Sequence, residues 1–260
     1  MSEKEIPLAG GNINTQVVRI GNTVRRSLTA ASPTVHQLLV HLAAKGFTGS
    51  PRFLGIDEQN REVTTFITGE TGILPAIWQD DKAVITTASL LKDYHDATID
   101  FVPTGDAAWA YVYPDTAQHE VICHNDFAPY NFIYRADTPS AVVDFDLAGP
   151  GPRLRDIAYT VYWLTPLSFN SHDQSAFAEA DLKAGSRRLK LFCATYGLTP
   201  NTDLLEMIDE VLAFMGDEAK VGAVVGAAAA AKLKREGHLD HWQRERASYQ
   251  AQRAKIEANL

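Results

Sequence analysis

The chain has 260 residues, of which 45% are hydrophobic and 22% are charged, and its formal net charge is −8. This length allows one large domain or two lobes with a sizeable core, and the negative charge argues against a nucleic-acid partner, whose phosphates it would repel. Cys123 and Cys193 are the only cysteines, so we expect no disulfide framework and a reducing compartment, the cytoplasm. The N-terminus holds no apolar signal region and the apolar run 221–231 is too short to span a bilayer, so we expect no membrane partner.

The N-terminal region predicts a glycine loop between two short strands. Gly10-Gly11-Asn12 stands before the alternating run 15–20, and a second run with two cations, 23–26, follows a Gly-Asn turn. The backbone amides of such a loop can approach a phosphate closely because glycine has no Cβ. By itself, a plain hairpin loop would explain this pattern better.

The next elements predict a helix and two strands. The helix is expected at 33–45, since Pro33 stands in its first turn, apolar residues recur at helical spacing and Gly46 follows as a stop. Strands are expected at 51–56 and 62–67, around a polar turn. The remainder is predicted to be mostly helical, with helices at 83–97, 157–164, 176–196, 204–214, 221–234 and 241–258.

The most informative stretch has the pattern His-x-Asp-x-x-x-x-Asn, formed by His124, Asp126 and Asn131, and Asp144-Phe145-Asp146 follows it. Kinase-type phosphoryl transfer needs one carboxylate that accepts or orients the attacking hydroxyl, an Asn that holds Mg²⁺, and an Asp that holds the metal against the ATP phosphates. A polar loop whose Asp and Asn residues only cap turns is the simpler alternative.

The spacing of these residues predicts a shared cation site. Residues 131–134 and 141–145 are short apolar runs on either side of a turn-rich cluster, which is typical of a β-hairpin. Asn131 and Asp144 lie equally far from the middle of that turn, so we expect them side by side at its open end. Their oxygens are hard ligands of the kind that Mg²⁺ prefers. The sequence contains no P-loop motif and no Gly-x-Gly-x-x-Gly.

With these motifs in this order, the chain resembles the aminoglycoside phosphotransferases and their choline-kinase-like relatives. The resemblance rests on the glycine loop, Arg25, Tyr94-His95, the catalytic loop 123–131 with Asp144-Phe145-Asp146, and the run 149–158 that contains Asp156. It implies an α+β, two-lobed, protein-kinase-like fold, with a nucleotide-binding lobe at 1–69 and a catalytic, acceptor-binding lobe at 70–260. It also implies ATP and Mg²⁺ as cofactors and a hydroxyl on a small molecule as the acceptor.

The resemblance assigns roles to individual residues. Asp126 receives or orients the substrate hydroxyl, and His124 braces the catalytic loop rather than exchanging protons. The metal ligands are Asn131 and Asp144, whereas Asp146 either contacts the metal or anchors the loop. Nucleotide contacts are expected from Gly10, Gly11 and Asn12, from one of two arginines, and from the hinge residues Phe66 and Thr68. Two structural roles complete the set: Asp156 bonds back to the catalytic loop, and His95 is a packed histidine.

Two departures from the family pattern bear on activity. The expected phosphate-binding Lys is absent, and Arg25 or Arg26 takes its place; strand alternation allows only one to face the cleft, and we favour Arg25. The helix 33–45 contains no acid to pair with that cation, and His36 stands where the partner Glu is expected. The ordering ion pair is therefore either missing or rebuilt.

These observations favour an ATP- and Mg²⁺-dependent kinase of a small, hydroxyl-bearing molecule. The alternative is a nucleotide-binding or immunity-type protein with weak or lost catalysis. A protein kinase is disfavoured because Asp156 follows Asp146 by only ten positions, which leaves little room for an activation segment. The acidic residues within 203–218 either attract a cationic acceptor or form a solvated helix face, and the aromatic residues within 159–163 either cage a quaternary ammonium or belong to the core.

Overall fold

The computed structural model describes residues 4–8, 17–167, 181 and 187–260. Its N-terminal part is an antiparallel five-stranded sheet with the strand order β1-β2-β3-β5-β4. The strands are β1 (Ile6–Pro7), β2 (Val18–Ile20), β3 (Thr23–Ser27), β4 (Phe53–Ile56) and β5 (Arg61–Thr65). The strands predicted at 51–56 and 62–67 are confirmed to within two residues at each end.

Helix α1 (Ser32–Ala44) crosses from β3 to β4 and confirms the helix predicted at 33–45. Its apolar residues recur at helical spacing, so one face of the helix is buried while the opposite face meets solvent. The buried apolar residues on this face are Val35, Leu38, Leu39 and Leu42. This packing fixes the position of His36 next to the sheet.

The remainder is mainly helical, as predicted. Its helices are α2 (Ala76–Gln79), α3 (Asp81–Thr98), α4 (Arg153–Leu164), α5 (Arg187–Tyr196), α6 (Thr202–Met215), α7 (Glu218–Val225), α8 (Ala227–Arg235) and α9 (His238–Glu257). The single helix predicted at 221–234 is wrong, because Gly226 has a φ of +88° and separates α7 from α8. None of the described helices combines the length and the hydropathy that a membrane span requires.

Between α3 and α4 lie two small two-stranded sheets that carry the candidate site. Strand β6 (Val121–Cys123) pairs with β9 (Gly149–Gly151), and β7 (Phe132–Arg135) pairs with β8 (Thr138–Val142). The chain therefore leaves β6, forms the catalytic loop, makes the β7–β8 hairpin and returns beside β6.

The segment after β5 joins the sheet to this hairpin at close range. Glu70 forms a backbone bridge with Tyr134 of β7, and a Cβ on Gly69 would lie 2.5 Å from the carbonyl oxygen of Tyr134. Only glycine fits at such a distance, which explains why Gly69 stands here. The division into lobes at residue 69 stays a prediction.

Candidate active site

One buried carboxylate holds the catalytic loop, residues 124–131, against α4. Asp156 accepts hydrogen bonds from the backbone amides of His124 at 2.6 Å and Asn125 at 2.7 Å. Its side chain is fully buried, and Nε2 of His95 lies 3.0 Å from the same carboxylate. The expectations that Asp156 bonds back to the catalytic loop and that His95 is a packed histidine are both confirmed.

Asp156→Asn is expected to destabilise the protein by roughly 3 kcal/mol at neutral pH, because an amide would turn a donor toward backbone donors. Burial raises the pKa of Asp156, but its hydrogen bonds to His95 and His124 and their charge outweigh burial, so this pKa lies below its usual value. The stabilisation is therefore complete above about pH 5 and is lost as the pH falls through the folded-state pKa, below about 3.9.

Urea denaturation of wild type and Asp156→Asn at about pH 7 and about pH 3 measures this difference. Asp96→Asn serves as the control, since Asp96 is a 43% exposed carboxylate of α3 paired with Lys92, and its loss should cost less than about 1 kcal/mol. A difference between wild type and Asp156→Asn that does not shrink at the acidic pH would contradict the assignment.

Both carboxylate oxygens of Asp126 are hydrogen-bonded within its own loop. Oδ1 accepts from the hydroxyl of Tyr130, and Oδ2 accepts from the side-chain amide of Asn131 at 2.8 Å. Burial raises the pKa of Asp126 to about 7; the hydrogen bond from Tyr130 opposes this rise, and the charge of Asp144 adds to it. A carboxylate that titrates near neutrality is suited to accept a proton from an alcohol.

His124 is fully buried beneath the loop. Its Nε2 lies 3.2 Å from the carbonyl oxygen of Val143, and its ring packs against Phe145 with 4.7 Å between centroids. Burial lowers the pKa of His124, which favours the neutral form of the ring. These contacts connect the catalytic loop to the end of the hairpin and favour a bracing role over proton exchange.

The predicted hairpin is present, with its register displaced by one residue. The carbonyl oxygen of Asn131 accepts from the amide of Val143 at 2.9 Å, whereas the symmetrical pairing would set Asn131 opposite Asp144. The strands pair up to Arg135 and Thr138, so the turn lies at Ala136 and Asp137, one position before the predicted centre. That turn alone would displace the register by two residues, and the irregularity between Ile133 and Tyr134 restores one of them. Asn131 therefore lies beside the residue that precedes Asp144, at the open end of the hairpin.

Asp144 has a left-handed backbone, with φ +67° and ψ +68°. Asp tolerates this region better than most residues, and strained conformations of this kind occur often at functional sites. The turn leads from β8 into a short helical turn at Phe145–Leu147. As a result, the side chains of Asp144 and Asp146 both reach the same cation.

That cation is Arg26. Its Nη1 lies 3.1 Å from Oδ1 of Asp144, and its Nη2 lies 2.6 Å from Oδ1 of Asp146. Arg25, by contrast, lies with its Nε 3.5 Å from Asp57, in the β4–β5 turn. Our preference for Arg25 as the cleft-facing arginine is wrong, because side chains alternate along a strand and Arg26 is the one that faces Asp144 and Asp146.

The acid missing from α1 is supplied by the sheet. Glu62 of β5 stands directly opposite Arg26 in the β3–β5 register and binds its Nε. The other oxygen of Glu62 lies 2.5 Å from Nε2 of His36, and the His36 ring stacks on Phe53 at 3.9 Å. The ordering ion pair is thus rebuilt, with the carboxylate on β5 and a histidine of α1 supporting it.

The charges of Arg26, Glu62, Asp144 and Asp146 shift one another's pKa values. Burial raises the pKa of Glu62, but the hydrogen bond from His36 and the charge of Arg26 outweigh burial, so its pKa lies below the usual value. Burial lowers the pKa of Arg26, but the carboxylates of Asp146, Glu62 and Asp144 outweigh it and raise this pKa. Arg26 therefore stays charged and fixed in place.

The donor set at this point fits a hard divalent cation. The side chains of Asp144 and Asp146 already converge on one positive group, the guanidinium of Arg26. Asn131 donates its amide hydrogens to Asp126, so its carbonyl oxygen lies on the other side of the amide. Among the described residues no cluster of three or more His, Cys, Asp or Glu side chains forms a metal site, so a metal here would need water or phosphate oxygens as further ligands.

The structure gives less information on the other residues predicted to contact the nucleotide. Gly10, Gly11 and Asn12 lie outside the described residues. The backbone amide of Phe66 donates to the carbonyl oxygen of Asn22 at 2.9 Å, and the carbonyl oxygen of Thr68 accepts from Nε of Arg135 at 3.3 Å. The roles of these residues in nucleotide binding stay predictions.

For the acidic residues within 203–218 and the aromatic residues within 159–163, the contacts favour a structural role over acceptor binding. Asp209 forms a two-point ion pair with Arg246, and Glu218 binds Lys234 at 2.5 Å, which favours a charge-paired helix surface. The aromatic residues within 159–163 pack on one another and on Trp242, with ring centroids between 5.3 and 6.4 Å apart. This packing favours a core cluster over an open cage.

Sequence reasoning missed Glu62 and Tyr130 as members of the site. A cross-strand pair of opposite charges between the 23–26 and 62–67 strands was the available signal for Glu62, since such pairs stabilise neighbouring strands. Tyr130 carried no separate signal, because it lies inside the catalytic motif at a position that the motif leaves undefined.

Comparisons with known proteins identify the family and the fold. The model of the phosphotransferase enzyme family matches residues 104–192. The trifolitoxin immunity protein of Rhizobium leguminosarum bv. trifolii is 32% identical over 200 residues, which cover 75% of each chain. Among solved structures, the gentamicin complex of APH(2")-IIa aligns over 95% of this chain and 91% of that chain, with 13% identity and a TM-score of 0.59. The GDP complex of aminoglycoside 2'-phosphotransferase-IIIa aligns over 95% and 93%, with 15% identity and a TM-score of 0.55.

A choline/ethanolamine kinase family protein from Mesorhizobium loti also aligns, over 95% of this chain and 92% of that chain, with 14% identity and a TM-score of 0.51. At these identities the structural matches show the fold alone. The sequence relative and the family match add the family itself. With a β-sheet N-terminal region and a helical C-terminal region, this chain belongs to the phosphotransferase enzyme family and has its protein-kinase-like fold.

Proposed function

We propose that the chain is an ATP- and Mg²⁺-dependent phosphotransferase that transfers the γ-phosphate to a hydroxyl of a small molecule. The observation that carries this proposal is the position of the Asp126–Asn131 pair beside the end of the β7–β8 hairpin, where Asp144 and Asp146 both bind the half-buried cation Arg26. Phosphoryl transfer requires a base, a set of hard oxygen ligands for the metal, and a cation that binds phosphate oxygens.

In this mechanism Asp126 accepts a hydrogen bond from the acceptor hydroxyl and takes its proton as the hydroxyl oxygen bonds to the γ-phosphorus. The bond from that phosphorus to the ADP oxygen breaks, and ADP leaves. Positioned bases of this kind contribute roughly 10² to 10⁴ in rate. Arg26 binds phosphate oxygens, and Glu62 keeps its guanidinium in orientation. Asn131, Asp144 and Asp146 would hold Mg²⁺, which supplies charge neutralisation on the phosphates when it is bound.

The proposal extends to the organisation of the chain. Residues 1–69 would form the nucleotide-binding lobe, with Gly10, Gly11 and Asn12 over the phosphates and the backbone of Phe66 and Thr68 near the base. Residues 70–260 would carry catalysis and acceptor binding. A small acceptor is supported by the short path from Asp146 to Asp156, most of which β9 and the start of α4 occupy. We place the protein in the cytoplasm, where ATP is available.

The test is release of ADP from Mg²⁺·ATP by the purified protein with a panel of aminoglycosides, choline, ethanolamine, and amino and sugar alcohols. We expect one class of acceptor to stimulate ADP release, and Asp126→Asn to lower that release by roughly 10² or more. Phosphorylated product identified by mass spectrometry would confirm the acceptor. Stimulated release that is equal in Asp126→Asn would refute the role of the carboxylate.

A second candidate is a nucleotide-binding, immunity-type protein with weak or lost catalysis. The relative named as an immunity protein favours it, as does the replacement of the expected Lys by Arg26. The same assay separates the two functions, because a binding protein would show a rise in melting temperature with Mg²⁺·ATP and no stimulated ADP release from any acceptor.

A further inference from the structure

The hydroxyl of Tyr130 occupies a position that the proposed reaction needs. It donates to Oδ1 of Asp126, as an acceptor hydroxyl would have to do before attack on the phosphate. The other carboxylate oxygen is bound by the amide of Asn131 at 2.8 Å. An incoming hydroxyl therefore meets a base whose two oxygens both already accept hydrogen bonds from the catalytic loop.

Two further contacts hold Tyr130 in this orientation. Its hydroxyl lies 2.8 Å from the hydroxyl of Tyr159 on α4, and its ring meets Trp163 edge to face, with 5.5 Å between centroids. Tyr130 is nevertheless 38% exposed, so it lies at the surface of the cleft and not in the core. A side chain anchored at its tip and open along its side can be displaced by a competing group.

We propose that Tyr130 is a specificity-determining residue whose hydroxyl holds the acceptor's place on Asp126 until an acceptor hydroxyl replaces it. This inference rests on the proposed function and deepens it. An acceptor must offer a hydroxyl that binds Asp126 well enough to displace Tyr130. Water is a small and abundant competitor, and the tyrosine hydroxyl excludes it from the base.

Removal of that hydroxyl opens the base to water. In Tyr130→Phe a water molecule can donate to Oδ1 of Asp126 and attack the γ-phosphate. The water oxygen then bonds to phosphorus, the bond from phosphorus to the ADP oxygen breaks, and the water proton passes to Asp126. The products are ADP and inorganic phosphate, without any other acceptor.

The experiment measures ADP release from Mg²⁺·ATP with no acceptor added, in wild type, Tyr130→Phe and Tyr113→Phe. Tyr113 is the matched control, since its hydroxyl also donates to a carboxylate, that of Glu210 at 3.2 Å, away from the catalytic loop. We expect Tyr130→Phe to raise the hydrolysis rate about tenfold, the factor that corresponds to one hydrogen bond to a charged group. The control should match wild type.

Binding of a non-hydrolysable ATP analogue, measured by calorimetry, provides the second readout. The affinity for the analogue should be equal in all three proteins, because Tyr130 acts on the acceptor side. A merely structural defect would weaken this affinity and lower the rate of hydrolysis. A rate of ATP hydrolysis in Tyr130→Phe that is equal to or lower than the rate in wild type overturns the inference and leaves the proposed function standing. If none of the three proteins binds the analogue or releases ADP, the proposed function is refuted, and the inference with it.

Discussion

Asp144→Ala is expected to reduce phosphoryl transfer by roughly 10³-fold, the scale for loss of one electrostatic partner of the transferred group. The substitution removes a proposed metal ligand and one of the two cleft carboxylates that hold Arg26. Because this carboxylate is 40% exposed, the fold itself should persist. Acceptor-dependent ADP release measures the loss, and thermal unfolding measures the fold.

The left-handed backbone of Asp144 requires a matched control. Alanine at such a position costs about 1–2 kcal/mol whatever its surroundings. Asp137, in the β7–β8 turn, has a comparable φ of +61°, so Asp137→Ala carries the same backbone cost without touching the cleft. Asp144→Asn tests the charge alone, since Asn tolerates this conformation. Normal turnover in Asp144→Asn, or an equal loss in Asp137→Ala, would refute the role of the Asp144 carboxylate.

Glu62→Gln is expected to lower kcat/KM for ATP about ten- to a hundredfold, because Arg26 loses a charged partner that is worth about 1.5–3 kcal/mol. Arg26 would then be held by Asp144 and Asp146 alone. We also expect a loss of roughly 1.5–3 kcal/mol in the free energy of unfolding, since the buried side chain of residue 62 loses its charge-assisted hydrogen bond with Arg26. Steady-state kinetics with varied ATP and urea denaturation measure the two effects.

Glu58→Gln is the natural control for this experiment. Glu58 lies in the exposed β4–β5 turn of the same sheet, and its substitution should change neither quantity, because exposed charges contribute little. If Glu62→Gln bound and used ATP as well as Glu58→Gln does, Glu62 would have no part in orienting Arg26.

The parts of this molecule that could be predicted are those fixed by local spacing. The catalytic motif, the hairpin after it and helix α1 follow from residues close together in the chain, where periodicity and turn chemistry decide the structure. The hairpin register was missed by one residue, because the turn closes one position early, at Ala136 and Asp137, and the irregularity at Ile133 and Tyr134 restores only part of the difference. The break at Gly226 was missed because an alanine-rich run favours helix on both sides of it.

The parts that could not be predicted depend on contacts between distant segments. Whether Arg25 or Arg26 faces the cleft depends on how β3 sits in the sheet, and the alternation of a strand gives two answers until a neighbour is known. Glu62 lies 36 residues from Arg26 in the chain, and only the β3–β5 pairing brings them together. The family pattern places this acid on the helix, where this chain has His36, and therefore does not indicate an acid on β5.

The position of Arg26 also has a mechanical consequence. Its guanidinium connects β3 of the N-terminal sheet to the end of the β7–β8 hairpin through Asp144 and Asp146. A metal–nucleotide complex bound as we propose would compete for the same two carboxylates and offer phosphate oxygens to Arg26 in exchange. Without nucleotide, the N-terminal sheet and the end of the hairpin would then be connected directly by ion pairs. With nucleotide bound, the metal–nucleotide complex itself would connect these two regions.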